Sequence, residues 1–161
     1  MSVGQQVSSD HQLARLLQIG IVLEEVVEAR SVTHLEELDS EPDAAVASLL
    51  QEAADESQRH RRQLESLIQN LDVETVPFEE VESLVGARYG RTRPADFDGV
   101  LYDQLCNEET AYKFYDDLIG AVEDSEASIS VNRVELVAVL REIRAEEAEG
   151  VEEVARVMEA R

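Results

Sequence analysis

The sequence has few of the residues that build covalent cross-links and cysteine-rich cofactor sites. Among 161 residues there are one cysteine, three prolines and no tryptophan. The single cysteine, Cys106, excludes an intrachain disulfide and any zinc or iron–sulfur site that needs several cysteines. Aromatic residues make up only 4% of the chain, so the core is expected to be aliphatic.

Positive charge is also scarce. Fourteen Lys and Arg residues stand against 36 acidic ones, which gives a formal net charge of −22, and Lys113 is the single lysine. Such a surface repels phosphate, so no nucleic-acid partner is expected. The densest basic run, Arg59-His60-Arg61-Arg62, is predicted to flank a helix whose His60 points inward. Acid excess with almost no lysine resembles the composition of salt-in halophile proteins and predicts a haloarchaeal source.

Long apolar runs are missing as well. None approaches the ~20 residues that cross a bilayer, so no membrane partner is expected. The segment from Met1 to Asp10 is polar and lacks the charged and apolar regions of a secretion signal. These patterns predict a single cytoplasmic domain that covers residues 1–161.

What the sequence does contain is four stretches with apolar residues at helical period. They predict an all-α fold with helices at about 8–39, 42–71, 95–123 and 131–160. Pro42 marks one helix start, and Asn132 with Glu135 forms a capping box for the last helix. Residues 72–94 are long enough to run along a helix of ~45 Å, at ~3.3 Å per extended residue. A short loop, a long crossover between helices two and three, and a second short loop form the connectivity of a ferritin-like four-helix bundle.

Polar residues interrupt each apolar stripe where a leucine is expected. At 100° per residue they face the bundle interior, although a small rotation of helix one would substitute Glu28 for the inward acid of that helix. A buried carboxylate costs several kcal/mol unless it is protonated, paired or bound to a cation. A metal ion is one such partner, and protonated acids around a hydrogen-bonded core histidine are the alternative. The interrupting residues are Glu24, Ser57, His60, Glu108, Glu147 and Gly150.

Three segments around these positions resemble the ferritin-like superfamily, and its rubrerythrin branch in particular. They are Glu52–His60, Glu108–Tyr115 and Ile143–Gly150. The resemblance implies one Glu on each of helices one and three and a Glu-x-x-His motif on each of helices two and four, which together hold two irons.

The chain departs from that family pattern at three positions. Ser57 replaces a bridging Glu, Gly150 replaces a His, and Ala111 stands where rubrerythrins carry a further Glu. An intact di-iron oxidase is therefore not expected, and at most one iron, manganese or zinc ion should bind tightly. The ligands that the resemblance leaves are Glu24, His60, Glu108 and Glu147.

Two functions of different classes follow. The first is a ferritin-like, rubrerythrin-like metalloprotein with a reduced site, which serves iron handling or oxidative-stress defence. The second is a non-catalytic helical bundle that kept the fold and acts through its surface, as a homodimer or with another protein partner. The apolar face of helix one, which includes Ile19, Val22 and Val26, would suit a homodimer. Tyr112 and Tyr115 are expected to pack in the core, with at most a hydrogen bond to a carboxylate.

Overall fold

The computed structural model describes residues 6–37, 43–74, 79, 83 and 99–160. Across these residues the protein is all-helical, with α1 at Asp10–Glu37, α2 at Ala44–Gln69, α3 at Val100–Glu123 and α4 at Arg133–Glu159. The predicted all-α fold with four long helices is confirmed. Pro42 and most of the predicted crossover at 72–94 lie outside the described residues.

The helices form a four-membered bundle in which α1 and α4 each pack against both α2 and α3. Residue numbers run in opposite directions across both interfaces of α1. Since α2 and α3 are both antiparallel to α1, they are parallel to each other. The contacts that set these directions are Gly20 with Leu64 and Glu28 with Arg61 between α1 and α2, and Gly20 with Phe114 and Arg30 with Asp103 between α1 and α3.

Capping residues fix where the helices begin. Asp43 precedes α2 and its side chain accepts a hydrogen bond from the Ala45 N–H. Asn132 accepts one from the Glu135 N–H at 3.2 Å, which confirms the predicted cap of α4. In the described residues α3 begins at Val100, after Gly99, which has a φ of 113°. The predicted start at about residue 95 lies outside the described residues.

The turn between α3 and α4 is held by one side chain from the start of α4. The guanidinium of Arg133 donates to the carbonyl oxygens of Val122 and Ala127 at 3.1 and 2.6 Å, and also to that of Ser125. Carbonyls at a helix end lack partners within the helix, so this arginine satisfies groups that would otherwise need water.

The apolar core is divided by polar side chains near the middle of the bundle. The larger part lies at the end where α1 and α4 begin, and Leu17, Leu118 and Leu140 are fully buried there. On the other side of the polar layer, Leu50 and Val154 are also fully buried. None of the described helices is both long enough and apolar enough to cross a membrane.

Candidate metal centre

The four helices bring the four predicted ligands together inside the bundle. The exposed fractions are 1% for Glu24, 0% for His60, 6% for Glu108 and 4% for Glu147. Each residue comes from a different helix, so the cluster exists only in the folded bundle. That these side chains bind a metal remains a prediction.

On α1 it is Glu24 that enters the cluster. The neighbouring acid one turn later, Glu28, forms an ion pair with Arg61 at 2.7 Å at the edge of the α1–α2 interface. The alternative in which Glu28 faces the site is therefore not the one adopted.

His60 lies at the centre of the cluster and contacts three carboxylates. Its Nδ1 lies 3.1 Å from Glu147 Oε1 and 3.3 Å from Glu24 Oε1, and its Nε2 lies 3.0 Å from Glu146 Oε2. Burial lowers the pKa of His60, but the hydrogen bonds and charges of Glu147 and Glu24 outweigh burial and raise it to about 11. The imidazole is thus a cation in the metal-free protein and donates from both nitrogens.

Glu24 has one satisfied oxygen and one without a partner. The buried Tyr115 hydroxyl donates to Glu24 Oε1 at 2.5 Å, and burial raises the pKa of this tyrosine well above its usual value, which keeps the donor neutral. Glu24 Oε2 is buried, and the described part of the chain offers it no hydrogen-bond partner. A buried carboxylate oxygen without a partner costs about 1–3 kcal/mol or more, and a bound cation would remove this cost.

Glu108 and Glu147 share the other side of the cluster. Burial is the largest cause that raises the pKa of both carboxyl groups, and a hydrogen bond joins them. A protonated Glu147 can donate to Glu108 while its other oxygen accepts from His60. The side-chain amide of Gln104, which is fully buried, donates to Glu108 Oε1 at 2.7 Å and so orients this carboxylate.

Gly150 has a steric role in placing Glu108. A Cβ atom added at Gly150 would lie 2.4 Å from Glu108 Oε2 and 2.7 Å from its carboxyl carbon. The Glu108 carboxylate thus lies against the backbone at the position where the family resemblance would place a histidine. The absence of a side chain at Gly150 thus makes room for the Glu108 carboxylate.

Two carboxylates that sequence reasoning missed complete the cluster. Glu56 and Glu146 are partly buried next to the predicted positions Ser57 and Glu147. The sequence did carry a signal for Glu56, because it precedes His60 by four residues and therefore shares its helix face. Three groups of donors have ligand atoms within 4.8 Å of one another, and they are Glu24/His60/Glu147, Glu56/His60/Glu146 and Glu56/Glu108/Glu147.

The inward face of α3 differs from the prediction. Tyr112, placed in the core from the sequence, is 39% exposed, whereas Asp103, Gln104 and Asn107 are buried. Cys106 is exposed as well. The reason is that α1 supplies partners for these polar groups, which an apolar periodicity cannot reveal.

Those partners form a polar network at the end of the α1–α3 interface. Asp103 pairs with Arg30 at 2.8 Å and with His34 Nε2 at 2.6 Å, and Arg30 also donates to Asn107 at 3.2 Å. Between this network and the cluster, the Ser31 hydroxyl donates a hydrogen bond to Gln104 Oε1 at 3.3 Å. The signal in the sequence was polar pairs four residues apart on both helices, such as Arg30 with His34.

The donor chemistry of the cluster fits a divalent cation of the first transition row. Carboxylate oxygens with one imidazole nitrogen and no thiolate suit manganese, iron or zinc. The partnerless oxygen of Glu24 is the observation on these residues that favours such a fit.

Comparison with known proteins adds no assignment to this geometry. No family model matches the chain, and no curated protein and no solved structure matches it significantly.

Proposed function

We propose that the protein binds one divalent cation, iron, manganese or zinc, in the Glu24–His60–Glu108–Glu147 cluster and serves iron handling or oxidative-stress defence. The single observation that carries the proposal is the buried Glu24 Oε2, which has no hydrogen-bond partner beside two further buried carboxylates. Burial without a partner is costly for a carboxylate oxygen, and a cation bound by this cluster would offset that cost.

The proposal includes a ferritin-like bundle with a long crossover. The support is the parallel direction of α2 and α3, since the chain that joins two parallel helices has to return along the length of the bundle. The first turn of α3 lies near Arg30 through Asp103, whereas the end of α2 lies near Ser130 and Asp10, at the opposite end of α1.

The residues of the cluster would have distinct roles toward the cation. Glu24, Glu147 and the Nδ1 nitrogen of His60 would hold it, after His60 loses a proton. Tyr115 and Gln104 would orient the carboxylates of Glu24 and Glu108 through their hydrogen bonds. A bound iron or manganese ion would supply redox chemistry, and a zinc ion would supply Lewis-acid chemistry.

One tightly bound cation remains the expectation, although the cluster has more donors than the sequence indicated. Of the other two donor groups, Glu56/Glu108/Glu147 contains no nitrogen ligand and shares Glu147 with Glu24/His60/Glu147, and Glu56/His60/Glu146 shares His60 with it. Two cations would therefore compete for Glu147 or His60 and repel each other.

A second candidate function is a non-catalytic bundle that acts through its surface. It is favoured by the contacts of His60, whose imidazolium already bonds to Glu24, Glu146 and Glu147 and partly neutralises them. A homodimer along α1, a protein partner, a cytoplasmic location and a haloarchaeal source stay predictions. Val26 of the predicted dimer face is buried within the chain, while Ile19 and Val22 are partly exposed.

Anaerobic titration with iron(II), manganese(II) and zinc(II), followed by elemental analysis, separates the two candidates. The proposal predicts about one tightly bound ion per chain, none for Glu24→Gln, and unchanged binding for the surface control Glu109→Gln. A stoichiometry of zero for the wild-type chain would support the non-catalytic bundle. Two tightly bound irons with an oxo-bridge absorption band would restore the di-iron oxidase.

A further inference from the structure

A groove of about 390 Å³ between α2 and α4 leads from the surface to the buried cluster. Its walls carry Glu52, Glu56, Glu146, Glu149, Glu152 and Glu153, and its inner end is formed by Glu108 and Gly150. Exposure falls along this lining. Glu52 and Glu149 are exposed, Glu56 is partly buried, and Glu108 is buried.

We infer that this groove is the route by which a divalent cation enters the cluster, with Glu56 as the residue that transfers it inward. The inference rests on the proposed metal-binding function and assigns it a path. Glu56 belongs to one donor group with His60 and Glu146 and to another with Glu108 and Glu147. A cation held by Glu56 can therefore exchange the partly exposed Glu146 for the buried Glu108 and Glu147 without leaving the Glu56 carboxylate.

The inner end of the route is marked by an independent observation. Glu24 is 1% exposed and, among the described residues, its Oε2 has no hydrogen-bond partner. Glu24 does not line the groove itself, but it shares a donor group with Glu147, which also forms a group with Glu56 and Glu108, so carboxylate donors continue from the groove to this buried ligand.

Among the described residues that line the groove there are seven glutamates and one arginine, Arg156, which is paired with Glu153 at 2.7 Å. Glu146 is also paired with Arg59, and the remaining excess of acidic groups raises the local concentration of cations.

A second groove, between α1 and α3, is unsuited to cations. Its volume is about 230 Å³, and its lining is mostly apolar, with Leu23, Val27 and Ala111, and includes the guanidinium of Arg30. An apolar wall offers no ligands, and the arginine repels a cation. The acidic groove is therefore the favoured entry.

Gly150 keeps the acidic route open. Because a Cβ there would come within 2.4 Å of Glu108 Oε2, a side chain at this position would push the Glu108 carboxylate into the passage or out of the cluster. A small side chain is thus expected to slow entry even though it adds no charge.

Stopped-flow absorbance with cobalt(II) as the probe tests the route. Glu56→Gln and Gly150→Ala should each lower the association rate about fivefold or more, whereas Glu109→Gln, which removes the same charge from the exposed face of α3, should leave it within about twofold of wild type. The final cobalt(II) absorbance at saturation should stay near the wild-type value for Glu56→Gln, because Glu24, His60 and Glu147, the ligands proposed for the bound cation, are intact.

Cobalt(II) binding by the wild-type chain tests the metal site, and the loading rates of the variants test the entry route. If the wild-type chain binds cobalt(II) and both groove variants load at its rate, the entry route is wrong while the metal site stands. An equal slowing by Glu56→Gln and Glu109→Gln would also overturn the route, since net charge alone would then set the rate. If the wild-type chain takes up no cobalt(II), the metal site and the route both fail.

Discussion

Burial leaves several carboxyl groups of this cluster with protons that the unfolded chain releases at the same pH. For Glu56, burial raises the pKa to about 7, with Glu108 and Glu146 adding to the effect and His60 opposing it. The pKa values of Glu108 and Glu147 are raised too, mainly by burial. The folded protein thus binds more protons than the unfolded chain between the ordinary glutamate pKa and these raised values.

The metal-free protein should therefore lose stability as the pH rises. Where the folded state binds more protons, the free energy of unfolding falls with pH, and for Glu56 the fall lies between pH 4.5 and about 7. The raised pKa of His60 also makes the free energy of unfolding fall with pH. The stabilisation from His60 is fully present below pH 6.5 and is lost as the pH rises through about 11. Glu56 should account for on the order of 1 kcal/mol, after allowance for solvent screening at its partly exposed side chain.

Urea unfolding of the metal-free protein at pH 5 and pH 7.5, in KCl of constant concentration, measures this effect. Glu56→Gln should flatten the pH dependence in this interval, and Glu109→Gln should leave it close to wild type. A free energy of unfolding that rises from pH 5 to pH 7.5 would contradict the protonation states described for the cluster.

Among the helices, the lengths and the inward acids were predictable from sequence, and the orientation of α3 was predictable only in part. The spacing of apolar residues correctly predicted that Glu108 faces inward, because apolar neighbours such as Tyr115 and Leu118 lie on the same side of the helix. The same spacing wrongly predicted a buried Tyr112 and did not indicate that Asp103 is buried. Burial of Asp103 depends on Arg30 and His34, which lie about 70 positions earlier in the chain. Pairings of this kind are tertiary and leave no trace in the hydropathy of one helix.

The same limit explains the incomplete list of cluster residues. Glu56 and Glu146 are partly buried, and the apolar period of one helix does not show which residues of another helix lie beside them. Their proximity to His60 depends on the packing of α2 against α4.

The connection between α3 and α4 should depend on Arg133. Removal of its guanidinium in Arg133→Ala leaves three carbonyl groups without their charged donor and should lower the free energy of unfolding by about 2 kcal/mol. Arg141→Ala is the matched control on the same helix, since Arg141 forms only an exposed ion pair with Glu123 and should cost less than about 1 kcal/mol. Equal costs in urea unfolding would show that the carbonyl contacts of Arg133 contribute nothing beyond a surface charge.

For the whole molecule, the dominant electrostatic quantity is the net charge of −22. Like charges at this density repel one another more in the compact state than in the unfolded chain, and molar salt shortens the screening length to ~3 Å.

The melting temperature should therefore rise by at least about 5 °C between dilute buffer and 2 M KCl, which corresponds to roughly 2 kcal/mol for a chain of this size. Differential scanning calorimetry measures the rise, and sucrose of equal osmolality separates charge screening from the stabilisation that any excluded solute gives. A melting temperature that does not respond to KCl would count against the halophilic source.

The paired charges at the α1–α3 interface also determine which bundle the chain can form. Aliphatic helices slide past one another at little cost, because one leucine replaces another at each turn of about 5.4 Å. Such a slide would separate Asp103 from Arg30 and His34 and leave buried charges without partners, at a cost of several kcal/mol. The three residues therefore fix the axial alignment of α1 and α3 and disfavour bundles in which the two helices are shifted by a turn. Replacing them with leucines should widen the set of bundles that the sequence populates, even where it adds apolar surface to the interior.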